Sequence, residues 1–120
     1  MEVYDIRSIG FVADTTPSVI TATVPDQMVG VIVNARYTIG SQSEEITVYL
    51  MQSRLGTVTG TLDAVTLDPS QRTIPTIMAV HPENVLAVVD PGHVVQAVTT
   101  TGSVIGVIHF RYAYGRMSRR

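Results

Sequence analysis

Apolar side chains recur at every second position along most of this chain, and no stretch repeats them at helical spacing. The longest example runs from Met28 to Tyr37, where Val29, Val31, Val33, Ala35 and Tyr37 alternate with Gly30, Ile32, Asn34 and Arg36. Successive side chains of an extended strand point to opposite faces, so a period of two specifies sheet. A helix that buries one face needs apolar residues at i, i+3, i+4 and i+7 instead. Composition supports the first pattern. Val (19), Ile (10) and Thr (15) make 44 of the 120 residues β-branched, against 5 Leu. Branched side chains lose rotamer freedom in helices and pack well on a pleated surface.

Read in order, the segments predict a series of short strands. Ile6 to Val12 is apolar at Ile6, Ile9, Phe11 and Val12 without a clean phase, and Asp14-Thr-Thr-Pro17 reads as a turn. Val19 to Val24 puts Ile20, Ala22 and Val24 on one face and Thr21 and Thr23 on the other, ending at Pro25-Asp26. After the Met28–Tyr37 strand comes a polar loop at residues 40–45. Ile46, Val48 and Leu50 then alternate with Thr47, Tyr49 and Met51.

Between Gly56 and Leu67, Val58, Gly60, Leu62 and Ala64 alternate with Thr57, Thr59, Thr61 and Asp63, and a phase slip near Ala64-Val65 predicts a bulge or a break. Thr73 to Val80 is a further strand candidate. Pro75 within it donates no ladder hydrogen bond, which assigns it to an edge or a bulge. Val85–Val89 and Val94–Val98 flank Asp90-Pro91-Gly92-His93, a type II turn signature that predicts a hairpin. Val104, Gly106, Ile108, Phe110 and Tyr112 form one face of the last strand.

Eight or nine short strands separated by turn signals predict an all-β fold, an antiparallel β-sandwich or jelly roll. The length allows one domain. It divides into an N-terminal segment (1–16) that forms an arm or edge strand, a sandwich (17–115) and a basic tail (116–120).

Several function classes find no support in the residues. The chain has no Cys, which removes disulfides, thiolate metal sites and cysteine nucleophiles. A net charge of -2 argues against a nucleic-acid-binding domain held by a broad basic face. No apolar run reaches the roughly 18 residues of a membrane helix, and MEVYDIRSIG lacks the apolar core of a signal peptide. His81, His93 and His109 have no ligand spacing, and His81 and His93 sit in turns. Glu44-Glu45 point to opposite faces of an extended backbone, and Asp63, Asp68, Glu83 and Asp90 lie mostly in turns, so no catalytic carboxylate pair is expected. No GxSxG, GxGxxG or phosphate loop is present. The expectation is a protein that is not an enzyme and uses no metal or cofactor.

The aromatic residues are Tyr4, Phe11, Tyr37, Tyr49, Phe110, Tyr112 and Tyr114. Tyr112 and Tyr114 share a strand face, where they pack at a sheet end or subunit contact, or alternatively stack on a sugar. Arg111, Arg116, Arg119 and Arg120 make the C-terminus locally basic. That suits either a solvated tail or a tether through bidentate Arg contacts to an acidic protein surface, with nucleic acid the lesser alternative. These six residues, Arg111, Tyr112, Tyr114, Arg116, Arg119 and Arg120, are the candidate partner contacts. Charged residues make up only 15 % of the chain and no Lys is present, against roughly 25 % charged in ordinary soluble domains. Thr hydroxyls can cover part of such an exterior, and other subunits would have to cover the rest.

The strands VGVIVNARYTIG and ITVYLMQ, the segment LAVVDPGHVVQAVTTTG and the closing strand GVIHFRYAYG resemble small β-sandwich, jelly-roll-like virion proteins of tailed bacteriophages, of the capsid decoration or cement type. The resemblance covers roughly residues 17–115 and carries no catalytic motif. It implies a structural protein, a homo-oligomer with a trimer favoured, bound to the major capsid protein or another virion component and assembled in the host cytoplasm. The alternative is a carbohydrate- or receptor-binding module of a phage fibre or hydrolase.

Overall fold

In the computed structural model, which describes residues 5–39, 44–68 and 85–114, the alternating segments form eight strands and no helix. They are β1 (Arg7–Ala13), β2 (Ser18–Val19), β3 (Met28–Ile39), β4 (Ile46–Arg54), β5 (Thr57–Leu67), β6 (Ala87–Val89), β7 (Val94–Thr99) and β8 (Val104–Tyr114). They build two four-stranded antiparallel sheets, ordered β1-β8-β3-β6 and β2-β7-β4-β5. The order is nested, with first beside last, second beside seventh, third beside sixth and fourth beside fifth. One long antiparallel ribbon rolled on itself, so that its strand pairs fall alternately into two sheets, is a jelly roll. The N-terminal strand β1 completes its own chain's sheet, at the edge beside β8.

The core lies between the sheets. Ile32, Ile108 and Phe110 from one sheet and Leu50, Val95 and Ala97 from the other are fully buried in a single cluster. Burying each large apolar side chain favours the fold by about 1.5–3 kcal/mol. The inward set of β8 follows its alternation as expected, and so does that of β4, where Ile46, Val48 and Leu50 are fully buried. Gly106 has a specific role here. The Phe11 ring from β1 occupies the space a side chain would need at that position.

Three expectations are corrected and a fourth is moved by two residues. Asp90–His93 is a tight turn, with Gly92 at φ 78° and the His93 N–H donating to the Asp90 carbonyl at 3.3 Å. It does not make a hairpin: β6 pairs with β3 in one sheet and β7 with β4 in the other, so the turn crosses between layers. Gln52 fixes the crossing. Its amide nitrogen donates to the Asp90 carboxylate and its carbonyl accepts from the Asp90 N–H, both at 3.0 Å.

The Val19–Val24 strand shortens to Ser18–Val19, because the Thr21 hydroxyl turns inward to accept from the Val95 N–H at 3.0 Å in place of a ladder partner. Ala22 is consequently exposed. In β3 the uniform alternation is broken by a bulge between Ile32 and Asn34, so Ile32 faces inward ahead of it and Ala35 behind it. The bulge expected in β5 near Ala64-Val65 is present, slightly earlier in the strand. Two register shifts opposite Leu50/Met51 and Gln52/Ser53 place the extra residues at Leu62 and Thr59. The Thr73–Val80 candidate and Pro75 lie outside the described residues.

Candidate functional site

Arg111, Tyr112 and Tyr114 all lie on β8, and the structure separates them. Arg111 is buried on the outer face opposite Val31. Tyr112 is half-buried, its ring edge-on to Phe110 with centroids 5.2 Å apart, and belongs to the core packing. Tyr114 is 76 % exposed at the strand end. The tail residues Arg116, Arg119 and Arg120 lie outside the described residues, as does His81. His93 lies in the crossing turn with Nδ1 2.9 Å from the Pro91 carbonyl oxygen.

The outer face of the first sheet follows from the β8 register. Since Val104, Gly106, Ile108 and Phe110 point inward, Ile105, Val107 and His109 point out. Val12 stands opposite Ile105, Gly10 opposite Val107 and Ser8 opposite His109. On the other flank of β8, Thr38, Arg36 and Asn34 take the matching places. The face therefore has an apolar end, followed along the strands by a polar band. At the apolar end Val12 is 57 % and Ile105 59 % exposed, whereas the exposed Val88 on β6 lies beyond the polar groups, level with Val31 and Arg111. In the polar band His109 Nδ1 and Arg36 Nε are buried without a hydrogen-bond partner. Burial, and after it the nearby Arg36 charge, holds the His109 imidazole below its usual value.

A second exposed apolar feature is the tip of the β4–β5 hairpin. Leu55 and Gly56 form its two-residue loop with φ 53° and 84°, the left-handed pair that a type I′ turn requires. Gly adopts this backbone freely, whereas Leu does so at a cost. Leu55 is also 94 % exposed, with Val58 exposed beside it.

A concavity lies on the flank between the two sheets. β6 pairs only with Gly30–Ile32, so beyond Ile32 the edge of β3 has no strand beside it among the described residues. The eleven-residue β5 extends along the opposite wall. The result is a cleft of about 660 Å³ with Val33, Ala35, Val65 and Leu67 in its walls and Val85 and Leu86 also lining it. Tyr37, Asp63 and Arg36 supply its polar groups. Tyr37 is only 6 % exposed, and its hydroxyl has no hydrogen-bond partner. Burial first, and then the Asp63 charge, raises its phenol far above the ordinary value, so it stays a protonated donor.

Sequence reasoning missed Tyr37, Arg36 and Leu55 as residues of interest. Tyr37 and Arg36 stand in the clearest alternation of the chain, where they read as ordinary inward and outward positions. Leu55 carried the only legible signal, a Leu-Gly pair between two alternating runs, where the favoured turn chemistry is Asn-Gly or Asp-Gly. Comparison with known proteins finds no matching family model, no matching curated protein and no matching solved structure.

Proposed function

We propose that this chain is a structural virion protein of a tailed bacteriophage, a decoration or cement subunit that binds and stabilises the capsid without catalysis. It acts as a homo-oligomer, by preference a trimer, in contact with the major capsid protein or another virion component. The observation that carries the reading is the apolar end of the outer face, where Val12 and Ile105 stand opposite each other and mostly exposed. Singly exposed apolar residues are ordinary, but a cross-strand pair continued by Val107 forms a patch, and such patches mark surfaces that another molecule covers. The low charge of the chain supports the same reading. The jelly-roll order adds an analogy, since the fold recurs in viral capsid proteins, though also in lectins and cupins. The mechanism is mechanical: a rigid sandwich spans adjacent shell subunits, and the buried area opposes outward pressure from packaged DNA.

Leu55 gives the assembly a second contact. A side chain that is bare and also backbone-strained at a hairpin tip suits insertion into a neighbour's apolar pocket. The rival carbohydrate-binding reading draws less support, because Tyr112 packs against Phe110 and leaves Tyr114 as the one exposed ring of that pair.

Immunogold electron microscopy with an antibody to this chain, applied to purified particles of the phage that encodes it, tests the reading. Regular labelling of the shell is expected. Unlabelled shells, or glycan-array binding that Tyr114→Ala abolishes, would overturn it.

A further inference from the structure

The flank cleft between β3 and β5 has no part in the proposed assembly surface, and its chemistry is different. We propose that it is a binding site for a small, neutral, largely apolar molecule carrying one hydroxyl or amide group. Its volume of about 660 Å³ falls within the roughly 300–1,000 Å³ of ligand pockets, and its walls of Val33, Ala35, Val65 and Leu67 match their mainly apolar lining. The ligand's polar group is specified by Tyr37. Buried polar atoms in native proteins are nearly always hydrogen-bonded, so the buried, unpartnered hydroxyl of Tyr37, a residue that lines the cleft, points to a missing acceptor.

The charge of the ligand follows from the neighbours. Tyr37 remains a donor because burial and the Asp63 charge keep its proton on. Asp63, which also lines the cleft, is an acceptor when ionised. A hydroxyl or primary amide accepts from Tyr37 and donates to Asp63 in one group. An anionic head would meet the Asp63 charge, and a protonated amine cannot accept from the phenol. Leu86, which also lines the cleft, is exposed.

The test uses prodan, a neutral naphthalene dye with a single ketone acceptor, titrated against the full chain while its emission is followed. Saturable one-to-one binding with a blue shift is expected. Ala35→Trp and Leu86→Trp, one in the wall and one on the exposed side, should each abolish it. Tyr37→Phe should weaken it about tenfold, the effect of one hydrogen bond, without lowering the unfolding midpoint, since the hydroxyl has no partner to lose. Ile105→Ser on the outer face should leave the affinity unchanged. In competition, naphthol should displace the dye better than naphthalene, and naphthoate worst. Absence of saturable binding, binding that survives Leu86→Trp, equal affinity in Tyr37→Phe, or naphthoate competing as well as naphthol would each overturn the proposal.

Discussion

Leu55 occupies left-handed backbone that costs a non-glycine residue about 1–2 kcal/mol, and its side chain projects into solvent. Asn tolerates this conformation, so Leu55→Asn should stabilise the isolated protein by about 0.5–1 kcal/mol in urea unfolding. Under the proposed function the same variant should bind particles more weakly. A second prediction concerns acid. Because the folded His109 imidazole is held below its ordinary value, the unfolded chain takes up that proton first as pH falls. Below about pH 6.5 the unfolded state therefore binds more protons than the folded one. The stability is fully present above that pH and is lost as pH falls from there toward the lowered folded value. His109→Gln should remove this part of the acid loss, and an identical pH profile in the variant would contradict the assignment. Tyr37 shows what sequence alone could not reveal. Period-2 spacing placed it on an apolar face, but whether its hydroxyl finds a partner depends on strands β3, β5 and β6 meeting from distant parts of the chain.

Strand positions were legible because each is encoded locally, by alternation within a few residues; Ile46, Val48 and Leu50 point inward as their spacing requires. Pairing was less legible. The Pro91-Gly92 turn has the geometry its residues specify, yet the chain leaves it into the other sheet, because partners far away in sequence, β3 for β6 and β4 for β7, outcompete the local hairpin. The Gln52 side chain that holds the turn lies 38 residues from Asp90 and has no local signature. Gln52→Ala should cost about 1–2 kcal/mol through two lost hydrogen bonds, read from urea unfolding. At Gly106 the Phe11 ring leaves no room for a larger side chain. Gly106→Val should therefore destabilise by about 1–3 kcal/mol, displacing the edge strand β1 first. Hydrogen exchange would show that displacement as lost protection at Ile9 and Phe11, ahead of Ile32.

At the scale of the whole molecule, the jelly roll turns a lightly charged sequence into an apolar end and an adjoining polar band on the same sheet. Ser8, Asn34 and His109 form the polar band and Val12 and Ile105 the apolar end, with Arg36 and Val107 paired between them. The fold class was readable from composition and periodicity; the apolar patch was not, because it exists only once β1 lies beside β8. If the patch is a subunit interface, Ile105→Asp should dissociate the assembly and leave the fold intact, since Ile105 takes no part in the core. Multi-angle light scattering of the unmodified chain at micromolar concentration is the most direct measurement. The proposed assembly predicts a stable species near three times the 13.0 kDa chain mass, reduced to one chain by Ile105→Asp. A monodisperse 13.0 kDa monomer of the unmodified chain would contradict it.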